Sequence, residues 1–412
     1  MVTLKLTQMA HGGSAIGRYQ GKVFFVPYAL PGETVAVEVE TSKKGWARTH
    51  LVEVIEPSPE RTAPACPHFG PEACGGCQWQ HIRYSAQLAY KTDVVHDQLA
   101  RLGGLTDVVV RPTHAVGEPW SYRNHVQLHA APGGLGYVAA DGQRVEPINT
   151  CPIMHSLVAE LFDELDIDIE GLERLSLRAG VNTGQQMVIF ETIGDEPFEL
   201  MVDRPVSCVL MQGNGTPVVL VGNDHLFEQV AEQEYRVSAG SFFQVNTPGA
   251  EALVGTVASY LSSHPHETLL DLYCGVGLFS LALAAEVAQV IAVEAQPAAA
   301  ADARFNVESA GLDNVRVIEG DVAKTLAALD EPVHLVIVDP PRSGCGLEVV
   351  ARLASLGPRR LVYVACDPAT LARDAKTFAA TGYHLVEIQP LDLFPQTYHI
   401  ESVGLFVRGA PA

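Results

Sequence analysis

Leu269-Leu270-Asp271-Leu272-Tyr273-Cys274-Gly275-Val276-Gly277-Leu278-Phe279-Ser280 is the stretch that settles the fold. An apolar run of strand type enters a loop holding Gly275 and Gly277, and a helical pattern starts directly after it. Glycines there let the backbone approach a ligand closely, and the N-terminus of the following helix is electropositive. A second apolar run, 290–293, ends in Glu294, roughly twenty residues beyond the loop, where an acidic side chain binds both ribose hydroxyls of a nucleoside cofactor. A third ends at Glu319-Gly320-Asp321, where a side chain can meet the adenine. Ser280 stands where the third glycine of a Gly-x-Gly-x-x-Gly loop would be. The segment reads as an S-adenosylmethionine (SAM) site, with another Rossmann-like site, including a nicotinamide-binding one, as the alternative.

Working outward, residues after about 240 alternate strand and helix patterns. Strands are predicted at 268–272, 290–293, 315–318, 335–338, 361–365, 384–388 and 404–407. That grammar predicts an α/β, doubly wound parallel sheet of Rossmann-like type over 239–412. Ligands of such sheets gather at the carboxyl ends of the strands. The fourth strand ends in Asp339-Pro340-Pro341-Arg342 and the fifth in Cys366-Asp367-Pro368, so the glycine loop, Asp339 and Cys366 should share one pocket. Asp339 can accept hydrogen bonds from a cofactor amine or a base edge. A thiol at a strand end before a helix N-terminus should have its pKa lowered from the free value of ~8.5, enriching the thiolate. Glu401 follows in the next connection. Thiol and carboxylate together supply a nucleophile and a base.

The rest of the chain divides into a small β-barrel of OB-like type over 1–58 and a central α+β part over 59–238. Short alternating runs broken by Gly and Pro mark the barrel; helices are predicted near 86–102 and 153–166. Formal net charge is −21, yet residues 1–58 carry six Lys/Arg against five Glu, a net of +1. Any RNA contact should therefore be local and shape-selective. The absence of a long apolar run and of a signal-peptide pattern predicts a cytoplasmic protein with no membrane partner. Thiols there stay reduced, so the eight cysteines read as ligands, nucleophiles or packing. Cys66, Cys74 and Cys77, separated by seven and two residues, suit an iron–sulfur cluster or Zn²⁺, with Cys151 and Cys208 further along.

Asp339-Pro340-Pro341-Arg342, Cys366-Asp367-Pro368, Phe242-Phe243-Gln244-Val245-Asn246 and the segment ending at Glu401 resemble the RNA uracil-5-methyltransferase family over nearly the whole chain. The resemblance implies that Cys366 adds to C6 of a uracil and that Glu401 removes the C5 proton after methylation. It implies cofactor or substrate contacts for Gln244, Tyr273, Glu294, Asp321 and Asp339, beside Gly275 and Gly277 of the loop. Leu278 departs from the family, many of whose members have Asn there. His399 is read as a structural neighbour of Glu401. The resemblance also adds Cys151 as fourth ligand and points to a 4Fe–4S cluster, with zinc as the alternative.

Gly12-Gly13-Ser14-Ala15-Ile16-Gly17, Val23-Phe24-Phe25-Val26 and Leu30-Pro31-Gly32-Glu33 resemble the TRAM domain, an RNA-binding barrel. Lys22, Phe24, Lys43, Lys44, Trp46 and Arg48 would furnish its RNA face, the alternative being Phe24 in the core and the lysines as a solvated rim. The expectation is a monomeric enzyme making 5-methyluridine, in ribosomal rather than transfer RNA. Two rivals remain: an N-methyltransferase using Asp339-Pro340-Pro341, and a non-catalytic RNA-binding assembly factor.

Overall fold

Side chains alternate across a strand, so a strand with no polar face needs a partner layer on both sides. The computed structural model, which describes residues 1–409 other than 168 and 195, satisfies that need over its C-terminal sheet. Leu270, Leu272, Ile291, Val293, Val336 and Val338 pack into one apolar cluster. Their neighbours Leu269, Val290, Leu335 and Ile337 pack into another. The strands run in the order Val315–Glu319, Gln289–Glu294, Thr268–Leu272, Leu335–Val338, Arg360–Ala365, Glu401–Arg408, Tyr383–Asp392 and Val109–Val110. Chain order reverses at Thr268–Leu272, which opens a crevice beside the glycine loop.

One expectation is corrected. Glu401–Arg408 is antiparallel to both neighbours, so the sheet is mixed rather than parallel throughout. The reason lies in residues 393–400, which hold no helix. A parallel return needs a long crossover, whereas a short connection permits an antiparallel one.

The N-terminal segment closes a five-stranded barrel from Val2–Met9, Ala15–Tyr19, Lys22–Val26, Thr34–Ser42 and Trp46–Glu56. Phe24 is 5% exposed and belongs to the core, whereas Trp46 is 38% exposed and meets Phe25 edge-on. Alternation along Lys22–Val26 puts Phe24 inside, so it is no RNA platform. The middle of the chain forms a seven-stranded sheet, from Val145–Pro147 to Pro217–Val221, covered by the helix Ser156–Asp163.

Residues 84–115 bind these parts together. The helix Tyr84–Gln98 continues as a π-helical stretch, Leu99–Gly103, and Val109–Val110 and His114–Ala115 extend the edge of the C-terminal sheet. That helix and the barrel interior share the first cluster with one face of the sheet. Among the described residues no helix is long and apolar enough to cross a membrane.

Lys91, on that helix, is fully buried and donates from Nζ to Asp392 Oδ1 at 2.6 Å and to the Phe394 carbonyl at 3.1 Å. Burial pulls the ammonium pKa down while Asp392 opposes the shift. Lys91→Met is expected to destabilise the fold by about 3–5 kcal/mol, because Asp392 is left buried without its counter-charge. Lys91→Met combined with Asp392→Leu should recover much of that loss; denaturant unfolding of both variants checks it.

Candidate active site

The glycine loop is built from left-handed backbone. Gly275 has φ 57° and Gly277 φ 95°, and a Cβ at Gly277 would lie 2.7 Å from Leu281 Cδ1. Tyr273, which has a side chain, also adopts φ 62°, a strained choice of the kind found at ligand sites. Gly275 N–H donates to Glu294 Oε2 at 2.9 Å, and Gln296 N–H donates to Oε1 at 2.7 Å. Glu294 is thus fixed at the loop from the neighbouring strand. Asp321 caps the helix Val322–Ala328 by accepting from Lys324 N–H at 3.0 Å. Its charge reaches Tyr273, whose phenol is pushed up chiefly by burial.

Two carboxyls end adjacent strands beneath this loop. Asp271 is fully buried; Ser280 Oγ donates to its Oδ2 at 2.6 Å, and Oδ1 has no partner. Burial pushes its pKa up to about 7. Asp339 keeps part of its surface open to the pocket, yet enclosure by protein and the Asp271 charge push it up to about 7 as well. An acidic pair held this far from its ordinary range favours a cationic ligand.

Cys366 follows the strand Arg360–Ala365, and Glu401 opens the antiparallel strand beside it. Ala365 pairs with Ser402 in that ladder, so Cys366 and Glu401 flank one register position. Glu401 is 4% exposed, and its pKa is raised well above the carboxylate range, first by burial and then by Asp339. Cys366 is pushed up to about 11, first by burial and then by Glu401. The expected lowering is therefore corrected. Asp367, not the thiol, occupies the cap of the helix Pro368–Ala379, accepting from Ala369 N–H at 2.7 Å and Thr370 N–H at 3.0 Å. Its negative charge adds to the upward shift of the thiol.

Arg342 opposes both shifts, a role that the Asp-Pro-Pro-Arg run does not reveal in sequence. Thr370 Oγ1 donates to its carbonyl at 3.1 Å. Asp374 anchors the rest of that loop, accepting from Cys345 N–H at 2.8 Å and Tyr363 OH at 2.7 Å. Asp271, too, reads in sequence only as part of a strand. His399 is held down at about 4, mainly by burial. Gln244 is tied in through backbone: its carbonyl accepts from Asn124 Nδ2 at 3.1 Å. Leu278 is buried, and its carbonyl accepts from Tyr235 OH at 2.9 Å.

The barrel reaches this region through its first turn. His11 Nε2 lies 3.7 Å from Asp367 Oδ2, and a Cβ on Gly13 would lie 2.8 Å from the Tyr398 ring. Trp79 Nε1 donates to the Gly13 carbonyl at 3.1 Å.

Cys66, Cys74, Cys77 and Cys151 line one pocket with Tyr137, Ile148 and Ile153. Cys74 is pushed up to about 11 and Cys77 to about 12, by burial first and by the charges of neighbouring cysteines among the further causes. Even so, among the described residues no three His, Cys, Asp or Glu side chains converge as they would around one metal ion.

The model of the tRNA (uracil-5-)-methyltransferase family matches residues 219–409, and that of the TRAM domain residues 2–52. An uncharacterized RNA methyltransferase of Halalkalibacterium halodurans is 35% identical, covering 98% of this chain and 96% of the relative. A 23S rRNA (uracil(1939)-C(5))-methyltransferase of Shewanella sediminis is 32% identical, covering 98% and 95%. The crystal structure of Pyrococcus abyssi tRNA (uracil-54, C5)-methyltransferase with S-adenosyl-L-homocysteine superposes with a TM-score of 0.77 at 27% identity, covering 98% of this chain and 100% of that one.

Because only the thiolate is alkylated, labelling of Cys366 should be slow at neutral pH and keep rising as pH approaches about 11. A free cysteine would level off above about 8.5. Iodoacetamide labelling across pH, read on the Cys366 peptide by mass spectrometry, checks this.

Proposed function

The chain belongs to the tRNA (uracil-5-)-methyltransferase family of RNA methyltransferases, and from that premise we propose that it methylates C5 of a uridine through a covalent bond from Cys366. The observation that carries the reading is the pairing of Ala365 with Ser402, which sets Cys366 and Glu401 together at the edge that also holds the glycine loop.

C5 of uracil is a poor nucleophile until C6 is attacked. In the proposed sequence the Cys366 thiol gives its proton to solvent water, the thiolate forms the C6–S bond, and the ring electrons move towards C5 and O4. SAM, when bound at the glycine loop, supplies the electrophilic methyl. Glu401 then takes the C5 proton, the C5–C6 double bond re-forms and the thiolate leaves. The raised pKa of Glu401 makes it a better proton acceptor than an ordinary carboxylate. Arg342 favours the ionised form of both groups.

The residues fit SAM. The orphaned Asp271 Oδ1 and the raised Asp339 favour its cationic methionyl end over the anionic phosphates of a dinucleotide. Glu294 is assigned to the ribose, Asp321 and Tyr273 to the adenine side, and Gln244 to the base, with Gly275 and Gly277 lining the approach. Leu278 offers no side-chain hydrogen bond there.

Four cysteines about one pocket are a donor set for a 4Fe–4S cluster, with zinc as the alternative. In a 4Fe–4S cluster each iron takes one thiolate, so a ring of thiols about a shared pocket suffices. Bound iron would supply the positive charge that keeps these buried thiols ionised. We assign RNA binding to 1–58, the cluster to 59–238 and methyl transfer to 239–412, in a cytoplasmic monomer. Ribosomal RNA is favoured as substrate, because the Shewanella relative that acts on 23S rRNA aligns over nearly the whole chain.

RNA carrying 5-fluorouridine, incubated with SAM, should give a denaturant-resistant conjugate on Cys366, with 23S rRNA fragments and not with transfer RNA. Cys366→Ala should abolish it; retained methylation by that variant would transfer support to the N-methyltransferase rival. On ordinary RNA, Glu401→Gln should accumulate the methylated conjugate. Protein purified without oxygen should be brown, with iron and sulfide near four per chain; colourless protein with stoichiometric zinc would remove the cluster.

A further inference from the structure

Four consecutive carbonyls of the loop that leads into Glu401 are each caught by a donor from elsewhere in the chain. Leu393 O accepts from Asn246 Nδ2 at 3.0 Å, and Phe394 O from Lys91 Nζ at 3.1 Å. Pro395 O accepts from Tyr122 OH at 3.1 Å. Gln396 O accepts from Gln78 N–H at 3.1 Å and Trp79 N–H at 2.9 Å. Gln396 itself holds a left-handed φ of 69° while only 3% exposed, a conformation that persists only when its surroundings enforce it.

Gln87 supplies much of that enforcement. It is fully buried on the helix Tyr84–Gln98 and forms a reciprocal amide pair with Gln396. Its Oε1 accepts from Gln396 N–H at 3.0 Å, and its Nε2 donates to Gln396 Oε1 at 3.0 Å. The same Nε2 faces the carbonyls of Ile82 at 2.9 Å and Trp79 at 3.2 Å. Such a density of buried, mutually satisfied groups exceeds what closing an eight-residue connection (393–400) between paired strands requires. It fixes the start of the strand that bears the base.

Resting on the reading proposed above, we infer that Gln87 and Tyr122 are positioning residues for Glu401, setting the rate of C5 deprotonation and not that of C6–S bond formation. In that step Glu401 accepts the C5 proton, the electron pair of the C5–H bond restores the double bond, and the C6–S bond breaks to release the thiolate. Cys366 follows a different strand, Arg360–Ala365, which is also held by its parallel neighbour Leu335–Val338.

RNA tritiated at uracil C5 reports deprotonation by tritium release, and the conjugate with 5-fluorouridine RNA reports C6–S bond formation and methyl transfer, since fluorine at C5 leaves no proton to remove. For Gln87→Leu and the milder Tyr122→Phe, tritium release should fall by about tenfold or more, since small misplacements of a catalytic group carry such costs. Conjugate formation should stay within about threefold. Loss of both rates together, or of neither, overturns the inference; if Gln87→Leu does not fold, Tyr122→Phe decides alone. Glu401→Gln separates the two levels. Tritium release unaffected in that variant would sink the catalytic reading itself. Release blocked there but normal in Gln87→Leu and Tyr122→Phe would sink only the positioning role.

Discussion

Ala365 faces Ser402 across an antiparallel pair, and the placement of both reactive groups follows from that ladder contact. A strand running with its neighbours would begin at the amino edge of the sheet, far from the cofactor crevice. Running against them, it begins at the carboxyl edge, and its opening residue lands beside Cys366. The glycine loop, Asp339 and Cys366 all close parallel strands at that same edge. Topology thus brings the carboxyl of Glu401 to a thiol that follows an earlier strand.

Electrostatics at this edge are unfavourable in the absence of ligand. Asp271, Asp339 and Glu401 all hold protons more tightly than ordinary carboxyls, and Cys366 does so relative to an ordinary thiol. Burial is the leading cause in each case, with Arg342 as the opposing cation for Cys366 and Glu401. A cationic ligand relieves this arrangement and an anionic one aggravates it. The same buried charges act on the glycine-loop end of the crevice and on the thiol of Cys366.

Much of the site was legible because its signals are local. Gly275, Gly277 and Glu294 follow from apolar runs that end at fixed spacings, and Asp339 and Cys366 from the rule that strand ends carry chemistry. The direction of Glu401–Arg408 was not legible, since alternation marks a strand without its sense; only the helix-free connection before it hinted at reversal. The thiol's raised pKa was missed because Glu401 and Asp367 act on it through the folded structure. Gln87 lies 309 residues from Gln396, and nothing near either residue announces the other. Phe24 was divided between core and surface until its strand's inward face was known.

The cysteine pocket and the loop before Glu401 have a shared member. Gln78 and Trp79, which follow Cys77 directly, donate to Gln396, and Tyr122, which packs against Cys77, donates to Pro395. The segment after Cys77 thus serves two neighbourhoods at once, walling the cysteine pocket on one side and bracing, on the other, a turn more than three hundred residues away in sequence.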